Sequence, residues 1–99
     1  MEGRKIARAL VLDKRDNVAT AVEDLIPGLT FVQAGKDAVS IAEPIPAGHK
    51  FALEAVKAGL TVVKYGEAIG IAAKDIFPGQ WVHIHNVEGQ RGRGDLVGR

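Results

Sequence analysis

The chain has no cysteine, no surplus of either charge, no long apolar run and no extended helical pattern. Each lack removes a class of protein. Without cysteine there is no disulfide framework, no thiolate metal site and no thiol nucleophile, a state usual for intracellular proteins, so a cytoplasmic location is expected. Thirteen Lys and Arg stand against twelve Asp and Glu, so nothing in the charge balance drives binding to a phosphate backbone, and nucleic acid is not an expected partner. The apolar stretch 9–12 that follows the N-terminal basic residues is shorter than the roughly 7–15 residues of a signal h-region. No stretch approaches the roughly 20 apolar residues of a membrane helix. Phosphate-cradling glycine loops, HExxH, GxSxG and EF-hand patterns are all missing from the sequence.

What is present is 99 residues, 46% of them hydrophobic, with twelve glycines. A chain of this size forms one domain and buries only about 60–65% of its unfolded surface, enough for a thin core and too little for a deep enclosed cleft. Any catalysis is therefore expected to need a partner. Sliding the chain against itself aligns AVEDLIPGLTFV (21–32), ALEAVKAGLTVV (52–63) and AAKDIFPGQWVH (72–83), with Gly28, Gly59 and Gly79 in register. Pro27-Gly28 and Pro78-Gly79 are pairings for type II turns, in which proline sets φ and glycine takes the positive value. Short apolar or β-branched runs follow each glycine, at 29–32, 60–63 and 81–84, and further strand candidates are 6–12 and 39–45. Residues 50–58 and 18–24 are long enough for one or two short helical turns and no more. These features predict a mainly β domain, with residues 1–8 as an extension, 9–87 as the domain and 88–99 as a flexible Arg/Gly-rich tail. The repeat spacings of 31 and 20 residues are too uneven for a solenoid and read as recurring turns.

Three clusters carry chemistry. In Trp81-Val82-His83-Ile84-His85 a strand period of two sends Trp81, His83 and His85 to one face and Val82 and Ile84 to the core. His83 and His85 are spaced for two ligands to one metal ion, with His49 or a carboxylate as third, and equally fit edge-strand histidines bonded to backbone. The turn Ile45-Pro46-Ala47-Gly48 places His49 and Lys50 at its exit, where an ammonium pairs with a carboxylate and an imidazole shuttles protons near neutral pH; two solvated turn residues are the plainer alternative. Lys64-Tyr65-Gly66-Glu67 either lines the same cleft or forms a simple hairpin.

Taken in order, Asp16-Asn17-Val18-Ala19, Ile45-Pro46-Ala47-Gly48-His49-Lys50, Val63-Lys64-Tyr65-Gly66 with Ile69-Gly70, and Gly79-Gln80-Trp81-Val82-His83-Ile84-His85-Asn86 resemble the N-terminal domain or small subunit of the altronate and galactarate dehydratase family. The tail Arg91-Gly92-Arg93-Gly94-Asp95-Leu96 resembles the junction to that family's large catalytic portion. The resemblance implies a SAF-type β-clip fold and loss of water from a sugar acid to give a 2-keto-3-deoxy acid. It further implies a divalent metal, Fe²⁺ or a Mn²⁺- or Mg²⁺-like ion, held mainly by a large subunit. On that basis His49, Lys50 and His85 are the catalytic candidates, and Lys64, Tyr65, Trp81 and Asn86 the substrate-binding ones. His83 and His85 are the metal candidates, and Arg91, Arg93 and Asp95 would dock the large subunit. Split forms of the family make a separate small subunit one reading and a truncated chain another. The expected partners are the large subunit and a sugar-acid substrate, with homo-oligomerisation left open. A sulfolactate sulfo-lyase subunit, which expels bisulfite in place of water, and a non-catalytic SAF binding module are the alternatives.

Overall fold

The computed structural model describes residues 5–89, and within them every regular element is a strand. In chain order these are β1 (Ala9–Leu10), β2 (Val18–Ala21), β3 (Thr30–Phe31), β4 (Val39–Ser40), β5 (Lys50–Ala52), β6 (Thr61–Lys64), β7 (Glu67–Ala72), β8 (Trp81–Val82) and β9 (Val87–Glu88). They form an antiparallel four-stranded sheet β1-β2-β5-β8, a β3-β4 ribbon and a three-stranded antiparallel sheet β6-β7-β9. The mainly β expectation holds, and the short helical turns expected at 50–58 and 18–24 are absent. Residues 50–52 and 18–21 instead pair with each other as β5 and β2, Val18 opposite Ala52 and Ala19 opposite Phe51. Cross-strand pairing and burial override the helix-forming residues Lys50, Ala52, Leu53 and Glu54.

The strands are short because tight turns interrupt them, and the turns are organised in pairs. Four turns share one form. Leu29 N–H donates to Ile26 C=O, His49 to Pro46, Leu60 to Lys57 and Gln80 to Phe77, and each closing glycine, Gly28, Gly48, Gly59 and Gly79, has φ between 84° and 103°. Positive φ at the third position is what a type II turn requires, and glycine meets it without a Cβ penalty. The glycines are separated by 20, 11 and 20 residues. The turn at 45–48 is thus a fourth copy, and the uneven spacing resolves into two pairs. Within the first pair Leu25 and Ile45 exchange reciprocal backbone hydrogen bonds; within the second Val56 and Ile76 do the same. Asp24 Oδ1 accepts the N–H of Ala47 in the opposing turn at 2.8 Å, and Asp75 Oδ1 accepts that of Ala58 at 2.9 Å.

Each pair carries its own core. Leu25, Ile45, Phe31, Ile41 and Phe51 cluster on one side of the β2–β5 ribbon, where the Phe31 and Phe51 rings meet edge-on at 5.6 Å. Val56, Val62, Ile76, Val18 and Val82 cluster on the other. Ala19, Ala21 and Ala52 are fully buried in the ribbon between them, small enough to let both layers approach. Buried Asn17 ties in the third sheet, its amide accepting from Val63 N–H at 2.7 Å and donating to Thr61 C=O at 2.9 Å. The chain joins the fold before residue 9: Ala7 is buried, and Ala7 and Thr30 N–H groups bond to Thr30 and Lys5 carbonyls. No helix among the described residues is long and apolar enough to cross a membrane.

Candidate functional site

Two of the four turns deliver the site. The turn at 45–48 opens into β5 and that at 76–79 into β8, which pair antiparallel with Lys50 opposite Val82 and Phe51 opposite Trp81. Extending that register by one residue sets His49 against His83, and their rings lie 4.9 Å apart. Trp81, diagonal to His49, meets it edge-on at 5.5 Å and donates its indole N–H to His49 Nδ1 at 3.2 Å. The Trp81 and His83 rings are stacked at 5.3 Å with only 8° between planes.

The expected strand through His85 is not formed. It stops at Val82, and residues 83–86 turn. The cause is Asn86, 3% exposed, whose side-chain oxygen accepts from His83 N–H at 2.9 Å while its amide donates to Trp81 C=O at 2.8 Å. An Asn side chain that offers the backbone these partners competes with the sheet ladder. Ile84, expected in the core, therefore sits at the turn tip and is 84% exposed. His85 nevertheless returns to the cluster, its ring 5.5 Å from Trp81. The Asn86 amide is committed to this turn.

Glu43 holds the indole from the backbone side and gave no sequence signal of its own. Its Oε2 accepts the Trp81 N–H at 2.8 Å. Only its place two residues before the Ile45 bridge, near the positions of Asp24 and Asp75 beside theirs, could have drawn notice.

The lysines approach from the other side of the strands, and Lys50 meets the ring cluster through His83. Lys50 alternates with buried Phe51 along β5 and so faces the side of Val82, in an open groove of about 340 Å³ that it shares with His83, Ile69 and Val87. Burial, and then the nearby Lys64 ammonium, push the Lys50 amine below its ordinary value of 10.5. Lys64 and Tyr65 form the simple hairpin. Tyr65 and Gly66 have φ of 57° and 72°, as a two-residue type I′ connection between β6 and β7 requires, and Asp16 Oδ1 accepts Gly66 N–H at 2.8 Å. The Lys64 ammonium lies 4.6 Å from the Tyr65 ring centre. Both line a shallow depression with Leu10 and Thr20, and Thr20 is the register partner of Lys50.

Among the described residues no three His, Asp or Glu side chains group as metal ligands. His83 and His85 both pack on the indole. Arg91, Arg93 and Asp95 lie outside the described residues.

Against known families, the profile described as "Altronate/galactarate dehydratase SAF domain" matches residues 7–90. The chain belongs to this family. As a SAF domain it is 45% identical over 71 residues to altronate dehydratase of Escherichia coli (strain K12), a match covering 72% of this chain and 14% of that protein. It is 36% identical over 77 residues to altronate dehydratase of Bacillus subtilis (strain 168), covering 78% of this chain and 15% of that one. To the (2R)-sulfolactate sulfo-lyase subunit alpha of Paracoccus pantotrophus it is 53% identical over 47 residues, 48% of this chain and 70% of that subunit. The SAF domain thus spans about a seventh of the altronate dehydratases it matches and most of a lyase subunit.

Proposed function

We propose that this SAF domain is the small part of a sugar-acid dehydratase, working on an aldonate such as altronate together with a large catalytic portion. The observation that supports it best is the convergence of His49, Trp81, His83 and His85 on one surface of a domain from this family. In the reaction a proton leaves the carbon α to the carboxylate and the β-hydroxyl departs as water. The enol product then becomes the 2-keto-3-deoxy acid. The imidazoles face the polar centre of the substrate. Lys50, backed by Lys64, takes its carboxylate, since a half-buried ammonium with a like charge nearby gains from an anionic partner. A divalent ion, Fe²⁺ or a Mn²⁺- or Mg²⁺-like one, would be held mainly by the large portion.

The test is reconstitution. The domain alone is inactive, and mixing it with the large portion of an altronate dehydratase produces 2-keto acid from altronate. His49→Ala or His85→Ala then lowers kcat by about 10²-fold or more, the usual scale for losing a positioned hydrogen-bond donor or proton carrier. Full activity in both variants would remove these residues from the site. A second reading, favoured by the coverage of the sulfo-lyase subunit, is bisulfite release from sulfolactate with the matching large subunit.

A further inference from the structure

We propose that Trp81 is a positioning residue that fixes His49 in its Nε2–H tautomer, making His49 a neutral hydrogen-bond donor to a ligand oxygen and not the base. An indole nitrogen can only donate, so its bond to His49 Nδ1 requires a lone pair there. The neutral imidazole then carries its proton on Nε2. Nε2 has no hydrogen-bond partner among the described residues, whereas Nδ1 is taken.

The indole is itself held from three sides. Its ring is stacked on His83, its backbone N–H is bonded to Glu43, and its body packs against the core around Phe51. His49 enters from the opposite strand, at the exit of a turn whose glycine fixes the chain direction. Neither ring can reorient without breaking several of these contacts.

The chemical consequence is a division of labour. The outward nitrogen of this tautomer already bears a proton and has its lone pair in the aromatic ring, so it accepts no other, and the lone pair of the second nitrogen is taken by the indole N–H. The ring can polarise a carboxylate or enolate oxygen by hydrogen bonding without giving the proton up, the role a neutral imidazole serves when charge builds on a neighbouring oxygen. Removal of the α-proton therefore falls to a group other than His49. The donor role rests on the dehydratase reading; the tautomer does not.

Two measurements test this. In the ¹⁵N-labelled domain alone, at mildly alkaline pH, a through-hydrogen-bond ¹⁵N–¹⁵N coupling links Trp81 Nε1 to His49 Nδ1, and the His49 proton is found on Nε2. A proton on Nδ1 overturns the proposal without reference to activity. In the reconstituted dehydratase, His49→Gln presents an amide N–H near the place of Nε2 and keeps activity within about tenfold, while His49→Asn, whose amide reaches only as far as Nδ1, loses roughly 10²–10³-fold, the cost of one oxyanion donor. Equal loss in both variants overturns the donor role. If no large portion yields an active wild-type enzyme, the dehydratase reading fails while the spectrum still decides the tautomer.

Discussion

Replacing Gly79 by alanine should destabilise the domain far more than the same change at Gly59, although the two glycines occupy equivalent turns with φ of 84° and 89°. In both, an alanine must adopt a left-handed conformation that costs roughly 1–2 kcal/mol, partly offset by about 0.4–1 kcal/mol from a stiffer unfolded chain. At Gly59 a new Cβ meets nothing within 4 Å. At Gly79 it would overlap the Ser40 carbonyl oxygen and lie 2.9 Å from Ala42 N, both backbone atoms that cannot swing away. Relief requires parting the 40–42 segment from the turn, which gives up the Ala42 N–H to Gly79 C=O bond and loosens Glu43 on Trp81. One lost hydrogen bond is worth about 1 kcal/mol and overpacking typically 1–3 kcal/mol. The sum is roughly 3–5 kcal/mol for Gly79→Ala against about 1 kcal/mol or less for Gly59→Ala. A domain of this length holds about 5–15 kcal/mol in all. Urea unfolding followed by Trp81 fluorescence and far-ultraviolet circular dichroism reads the difference, as a midpoint shift on the order of 1–3 M between the two variants. Equal shifts would refute the reasoning, because only the contact with Ser40 and Ala42 separates the two sites.

Asn86→Ala removes both side-chain bonds that hold the 83–86 turn and leaves His83 N–H and Trp81 C=O short of a partner; a loss of roughly 2–3 kcal/mol is expected in the same urea titration. Lys50→Met should equal or exceed the wild type in thermal stability at neutral pH while abolishing carboxylate-dependent activity in the reconstituted enzyme. Because folding lowers the Lys50 value, the charged form penalises the folded state, in full below the folded value and not at all above 10.5. The advantage of the methionine variant should therefore shrink as pH rises toward 10.5, and an advantage independent of pH would contradict that.

Strand content and turn positions were legible because proline, glycine and β-branched residues report local backbone preference directly. The turn at 45–48 was legible as a turn but not as a copy of the repeat: Ile45-Pro46-Ala47-Gly48 carries its proline one position earlier than Pro27 or Pro78, and Ile41 replaces the leading alanine of the other copies. Backbone pairing, not side-chain likeness, shows its kinship. The alternation from Trp81 to His85 predicted the right neighbours through the wrong element. Trp81 and His83 share a face as a strand demands, but Asn86 folds the chain back, and it is this turn that returns His85 to the indole. Glu43 on Trp81 and the groove that joins Lys50 to His83 depend on which strands pair, and a local reading of residues contains no register.

The four turns also provide a comparison within the molecule that separates what the fold needs from what the surface does. The two residues after each closing glycine are Leu29-Thr30, His49-Lys50, Leu60-Thr61 and Gln80-Trp81. Leucine and threonine fill these places twice, in turns with the same hydrogen bond and the same sign of φ, so neither an imidazole nor an ammonium is needed to close such a turn. His49, Lys50 and Trp81 depart from that pattern together. They do so in one turn from each pair, the two whose exits β5 and β8 bring side by side. What closes such a turn falls on all four exits alike, so these departures answer to something other than turn closure. A demand confined to the two adjoining ones is what a ligand bridging β5 and β8 would impose, and it predicts that His49→Leu leaves the domain folded while removing whatever the cluster does.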